Sequence, residues 1–356
     1  MRSPYNAGMT TPLPSPAQLA NPNFTAHMFT QTWATEQSWH DGGIRPYGPL
    51  HISPVASVFH NAQEIFEGMK AYRRPDGHIN LFRPYENAQR FNLSAQRIAM
   101  PEVDPDVFVS SIADLVKLDE GYLPRIANEA LYVRPTMIGT GGRLGVFPSD
   151  TYLHFVILTH SPYHAQGMKL NSAFISPEHV RAAQGGTGEA KTGGNYAASI
   201  AMNKHAAELG YSHVLFLDSV QKRFIEEGAG MNVAFVYSNL AKPRLVTPAL
   251  NGAILRGITR KSILAFAPDI GYDVVEMHMD VTEVLRDIER GEITEAFGLG
   301  TGAVIAPLGK LGYLGKDYVV GNGIGPVTKH IYQTLTDIQH GRVSDPYGWT
   351  YEIRVG

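Results

Sequence analysis

Strand-like and helix-like stretches follow one another in this chain without a regular beat, and that irregularity constrains the fold more than any other feature. A doubly wound parallel sheet needs strand, crossover helix and strand in steady repetition. Here Met69–Arg73 and residues 78–82 instead flank Arg-Pro-Asp-Gly, the pattern of a hairpin. Pro84 then opens a helix through Asn87, Arg90, Phe91, Ser94 and Ile98. A second helix fits 106–117, with Phe108, Ile112 and Leu115 on one face. Residues 130–134 and 152–159 read as strands. Beyond them come a helix over 197–209 and strands at 213–217, 224–227 and 231–237. A helix over 258–266, a strand over 272–279 and a helix over 282–290 follow. One glycine-interrupted strand over 296–305 and a closing helix over 327–340 complete the chain. No internal repeat appears. The order predicts an α+β protein.

At 356 residues the chain exceeds one ordinary core, so two domains of roughly 150–200 residues are expected. The polar break His160-Ser-Pro-Tyr-His-Ala-Gln-Gly167 separates an α+β domain over 1–163 from a larger one over 168–356, with 164–167 as the linker. Residues 1–23 read as a loose arm, without the apolar stretch of a secretory signal. A net charge of −3 offers no electrostatic reason to bind nucleic acid or an anionic membrane. No run of about 18 apolar residues exists to span a bilayer. With no cysteine, disulfides, thiolate metal sites and cysteine nucleophiles are excluded, and a cytoplasmic setting is expected. No metal site is expected.

The segment Gly185-Gly-Thr-Gly-Glu-Ala-Lys191-Thr almost spells the phosphate loop of nucleotide hydrolases, but Ala190 stands where the second glycine must let the backbone wrap the phosphates. Pro177-Glu-His also keeps any hydrophobic strand from leading straight into it. The residues that follow point elsewhere. Lys191-Thr-Gly-Gly-Asn-Tyr196 joins a long ordered series: Phe24-Thr-Ala-His-Met28, Pro46-Tyr-Gly-Pro-Leu50, Glu64-Ile-Phe-Glu-Gly-Met-Lys-Ala-Tyr72 and Leu131-Tyr-Val-Arg-Pro135. It continues through Ile225-Glu-Glu-Gly-Ala-Gly-Met-Asn232, Gly257-Ile-Thr-Arg260, Leu335-Thr-Asp-Ile-Gln339 and Gly348-Trp349. In these segments the chain resembles the branched-chain amino-acid aminotransferases, of the fold type IV (D-amino-acid aminotransferase-like) class of pyridoxal-phosphate enzymes.

The resemblance implies a two-domain fold with pyridoxal 5'-phosphate between the domains, held as a Schiff base on Lys191. The chemistry needs an amine that binds a carbonyl, leaves when substrate displaces it and then moves a proton, and only lysine does all three. Such a lysine must be partly neutral near pH 7. A carboxylate must hold the proton on the cofactor's pyridine nitrogen. By register that is Glu227, and strand alternation turns Glu226 outward. Arg90 matches the phosphate-binding arginine, a bidentate partner for a dianion. Ile258 and Thr259 open a helix whose N–H groups favour an anion, and Thr301 adds a hydroxyl. Tyr196 and Arg181 match groups near the cofactor's phenolic oxygen, and Gly230 lies in the run beside them. Tyr132 and Arg134 share one face of a strand, at the substrate-carboxylate end. Phe66, Met231 and Gly302 line the remainder. Leu144 and Val146 match a pocket wall supplied by a neighbouring subunit, which implies at least a homodimer.

The implied reaction is reversible transamination of leucine, isoleucine or valine with 2-oxoglutarate, so the expected partners are amino acids and 2-oxo acids. Same-fold alternatives are an amine, aromatic or D-amino-acid transaminase and 4-amino-4-deoxychorismate lyase. A non-catalytic scaffold would be the alternative of a different class. The chain departs from the family at Ala26, usually Asp, at Arg256, where many members have Pro, and at Asn61, typically Tyr. Asn61 is expected near Tyr132 and Arg134, where it would widen the side-chain pocket.

Overall fold

A computed structural model of the chain describes residues 23–125, 128–161, 168–238 and 241–356. The expected arm, apart from Asn23, and the expected linker at 164–167 lie outside the described residues. Two sheets organise the chain. The first has eight strands, all paired antiparallel: Thr350–Ile353, Ile79–Phe82, Met69–Arg73, Ala130–Gly139, Thr151–Ser161, Phe24–Ala34 and Ser38–Pro46 in spatial order, with Glu64–Phe66 also on Ala130–Gly139. Helices Pro84–Arg97 and Pro105–Leu118 cover it, each opened by proline where a missing N–H costs nothing. Their apolar faces place Phe91, Phe108, Ile112 and Leu115 against Ile65, Leu81, Leu131 and Val156, all fully buried. The expected faces of both helices are the ones found.

The second sheet has ten strands and mixed pairing, and helices Ile258–Phe266, Val281–Glu289 and Pro326–Gln339 pack their apolar stripes into its two cores. Sheet membership does not follow chain order to the end. Thr350–Ile353 returns to pair with Ile79–Phe82, so the C-terminal strand belongs to the first sheet although it follows residue 168.

Three local expectations need correction. The glycine-interrupted stretch at 296–305 is not one strand. Ile293–Gly300 and Val304–Tyr313 are antiparallel neighbours, and Gly300 faces Val304 across the turn Thr301-Gly302-Ala303. The helix expected over 197–209 begins earlier and spans Gly193–Glu208. Gly193 is a poor helix former, but a Cβ there would collide with the Glu64 side chain, so packing sets this terminus. Finally, Glu226 does not face outward. Strand Phe224–Gly228 carries one extra residue opposite Leu215–Leu217, and this bulge breaks the alternation so that Glu226 and Glu227 are both buried.

Candidate active site

Lys191 is held at the seam between the two sheets by its own backbone. Its N–H donates to Ser94 Oγ at 2.9 Å, on the helix Pro84–Arg97, and its carbonyl accepts the Phe66 N–H at 3.0 Å. Thr192 then donates its hydroxyl to the Glu64 carbonyl. The glycine-rich turn before it is braced by Asn195, which donates to the Thr187 and Ala190 carbonyls. With its backbone fixed, Lys191 extends Nζ to the Tyr196 hydroxyl at 2.8 Å, between the Phe66 and Tyr196 rings.

One side of Lys191 opens to a narrow cavity lined by Arg90, Arg181, Tyr196, Glu227, Gly230, Ile258, Thr259 and Thr301. The other opens to a cavity of about 480 Å³ that reaches Phe66, Tyr132, Arg134, Met231 and Gly302. The structure therefore gathers at Lys191 every expected site residue except three. Asn61, Leu144 and Val146 are the exceptions.

Glu227 ends the narrow cavity. Its Oε1 accepts the Leu255 N–H and pairs with Arg181 Nη1, each at 2.7 Å, while Oε2 accepts Asn232 Nδ2 at 3.1 Å. Burial pushes the Glu227 carboxyl up to about 7, against the opposing pull of Arg181 and the Leu255 N–H. A carboxyl so poised holds or releases a proton near neutral pH.

Arg90 stands at the opposite end. Glu67, fully buried, grips its guanidinium through two bonds of 2.6 and 2.9 Å, and Arg90 Nη1 donates to the Arg256 carbonyl. Next to it begins the helix Ile258–Phe266, capped by no side chain, so its first N–H groups have no partner within the helix. Gly257 precedes it because a Cβ there would strike Asn232 Oδ1. Arg256, the departure from proline, turns its side chain away to Glu189.

This arrangement fits a flat, phosphorylated cofactor on the chemistry of its donors. A cation and helix N–H groups face one end and a buried carboxyl faces the other. Nε of Arg181 is also buried without a hydrogen-bond partner.

At the substrate side Arg134 donates to the Tyr132 hydroxyl at 3.1 Å and lies 4.7 Å over the Phe66 ring. It forms no ion pair among the described residues, and a carboxylate would satisfy it. The Thr301 hydroxyl donates to the Gly68 carbonyl.

Within its own chain Asn61 does not line the cavity that holds Tyr132 and Arg134. The short helix Ser57–Asn61 ends on Ala62 in the left-handed conformation, which turns the chain before Glu64–Phe66. Asn61 is exposed and donates to the Gly145 carbonyl at 2.6 Å. It sits with Leu144 and Val146, which are 66% and 92% exposed, and none of the three reaches this chain's own cavity.

The sequence reading missed Glu67 and Lys70, two charges inside the Glu64–Tyr72 segment that nothing but burial distinguishes. Lys70 is 1% exposed and donates from Nζ to the Gly302 carbonyl at 2.6 Å, anchoring the turn that borders the substrate side. Burial pushes its ammonium down to about 7. A folded-state value below the ordinary 10.5 means stability present above that pH is lost as pH falls toward 7. The wild type should therefore gain a few degrees in Tm relative to Lys70→Met between pH 7 and 10. Parallel Tm curves would show that Lys70 is solvated.

The model of the family described as amino-transferase class IV matches residues 64–311. A probable branched-chain-amino-acid aminotransferase of Streptomyces coelicolor is 45% identical over 344 residues, 95% of this chain and 94% of that protein. Branched-chain-amino-acid transaminase 1 of Bacillus subtilis is 42% identical, over 96% of each chain. Among solved structures, the Escherichia coli branched-chain amino acid aminotransferase superposes with a TM-score of 0.76 at 24% identity, over 93% of this chain and all of that one. The Thermobaculum terrenum enzyme in its PLP form gives 0.77 at 22%, over 94% and 100%. At such identities the structural likeness shows the fold.

Proposed function

This chain belongs to the class IV aminotransferases, and from that premise we propose that it catalyses reversible transamination between leucine, isoleucine or valine and 2-oxoglutarate. The observation that carries this reading is the placement of Lys191 Nζ, on the Tyr196 hydroxyl and between a buried proton-holding carboxyl and Arg134, which forms no ion pair among the described residues.

The narrow cavity, together with the adjoining space beside Lys191, takes pyridoxal 5'-phosphate. When bound, the cofactor supplies a carbonyl for amine exchange and an electron-withdrawing ring that acidifies the substrate α-carbon. Arg90, the N–H groups of Ile258 and Thr259, and the Thr301 hydroxyl once turned from the Gly68 carbonyl bind its phosphate. Glu67 holds the Arg90 fork so that little side-chain freedom is lost on binding. Glu227 holds a proton at the ring nitrogen, and Arg181 and Asn232 keep its carboxyl in place. Tyr196 orients Lys191 Nζ, which carries the cofactor and then takes the α-proton from substrate and returns it. Arg134, Tyr132 and the turn at Gly302 bind the substrate carboxylate. Phe66 and Met231 pack on its side chain. The two-stage exchange gives ping-pong kinetics.

Leu144, Val146 and Asn61 form one exposed group, and in a homodimer they close the partner's pocket rather than their own. Asparagine in place of tyrosine removes apolar wall there. Each lost contact of methylene size costs a branched substrate roughly 1 kcal/mol. Asn61→Tyr is thus expected to raise kcat/KM for leucine about fivefold relative to phenylalanine. An unchanged ratio would put Asn61 outside the specificity wall.

The reading as a whole is tested by absorbance of the cofactor-loaded protein. Leucine should bleach its visible band, and a branched 2-oxo acid should restore it. A band that responds to other amines but not to leucine, isoleucine or valine would overturn the substrate assignment.

A further inference from the structure

Away from the candidate active site, four arginines converge on a second small cavity. Its volume is about 240 Å³, and it is lined by Arg73, Arg74, Arg125, Glu129, His340 and Arg342. Three parts of the chain build it: the hairpin after Met69–Arg73, the approach to strand Ala130–Gly139, and the end of helix Pro326–Gln339. A cavity of this size corresponds to roughly eight waters at ~30 Å³ each, enough for a small oxyanion and part of its hydration shell.

Two of its four arginines are neutralised by carboxylates and two are not. Arg74 pairs with Asp76 and Glu352, and Arg342 pairs with Asp337 while also donating to Asn128 Oδ1. Arg73 and Arg125 have no carboxylate partner among the described residues. Arg73 donates only to the Gly77 and Glu120 carbonyls, and its Nε is buried with no hydrogen-bond partner. A buried donor left unpaired costs free energy that a bound acceptor would recover.

The helix end does not compete for that acceptor role. Its last carbonyls already accept N–H groups of His340, Gly341 and Arg342. Glu129 is the one carboxylate among the lining residues. His340, buried against Tyr72, is held neutral by its burial and adds a ring nitrogen rather than a charge.

We propose that this cavity binds a small oxyanion of the phosphate or carboxylate class, gripped by the guanidinium groups of Arg73, Arg125 and Arg342. Planar guanidinium forks match both anions in bidentate geometry. The site is separate from the phosphate end of the candidate active site, with which it shares no lining residue. The inference therefore stands whether or not the substrate reading holds.

The test is calorimetric titration of the cofactor-loaded protein, whose own phosphate site is filled, with inorganic phosphate and separately with malonate at constant ionic strength. One equivalent per chain is expected to bind. Arg125→Gln combined with Arg342→Gln, both on exposed residues, should weaken binding at least tenfold. The visible absorption and leucine turnover should be unchanged, and the paired lysine replacements should restore part of the binding. Tighter phosphate than malonate would assign the site to phosphates, and the reverse order to carboxylates. The proposal fails if neither anion gives heat beyond a chloride control, or if the double variant binds as tightly as the wild type.

Discussion

Replacing Lys191 with alanine is expected to leave a folded protein that has lost its visible cofactor band and at least about 10³-fold of its turnover. The backbone at 191 is held by Ser94 Oγ and by the Phe66 N–H, and neither bond uses the side chain. Nζ hydrogen-bonds only the Tyr196 hydroxyl, lies over the Phe66 and Tyr196 rings and forms no ion pair among the described residues, so Tm should move by no more than a few degrees. Arg90, the helix N-terminus at Ile258 and Glu227 are untouched and should still retain the cofactor, without the covalent link. The rival amine is Lys70, also buried near the site but turned toward the Gly302 carbonyl. Substantial turnover and a retained band in Lys191→Ala would move the chemistry to Lys70.

The second large effect is expected at Glu227. Glutamine keeps the shape and the bond from the Leu255 N–H, but it cannot hold a proton at the ring nitrogen and leaves Arg181 without its counter-charge. Turnover should fall on the order of 10²-fold or more, several kcal/mol in transition-state stabilisation. Glu226→Gln should cost far less. Glu226 is also buried, but its carboxyl meets Asn251 Nδ2, and an amide oxygen can accept that bond equally well.

Stability gives an independent check. Burial raises Glu227 from its ordinary 4.5 to about 7, so its contribution is fully present below 4.5 and is lost as pH rises through 7. In the cofactor-free protein, Glu227→Gln should therefore flatten the decline in Tm between pH 4.5 and 7. Glu226→Gln showing the larger loss of turnover would mean that the bulge presents the other carboxylate to the ring.

Much of the fold was legible because it rests on local pattern. The proline-opened helix with Arg90, Phe91 and Ser94 on its inner face, the hairpin around Arg-Pro-Asp-Gly, and the helix at Ile258 all stand where periodicity and turn chemistry put them. The lysine segment could be separated from a phosphate loop by one residue, Ala190. The ordered motifs then carried the family and, with it, the positions of Lys191, Glu227 and Arg90.

Tertiary structure decided what local pattern cannot encode. Alternation predicted a buried Glu227 beside an outward Glu226, but a bulge is a mismatch between two strands and is visible only once they pair. Gly193 and Gly194 lay ahead of the expected helix, yet they open it, with the Glu64 side chain packed on Gly193. Nothing in the sequence singled out Glu67 and Lys70, and only burial joined one to Arg90 and the other to the Gly302 carbonyl, more than 200 residues away. The place of Asn61 within its own chain is decided in the same way, by the turn at Ala62 and the loop at Gly145. The sequence alone determined which residue types carry the chemistry and the faces of the elements that bear them, because those follow from covalent pattern within a few turns of chain. Which carboxylate is buried, which cation is paired and which wall closes which pocket depend on contacts between distant segments, and only the folded chain brings those together.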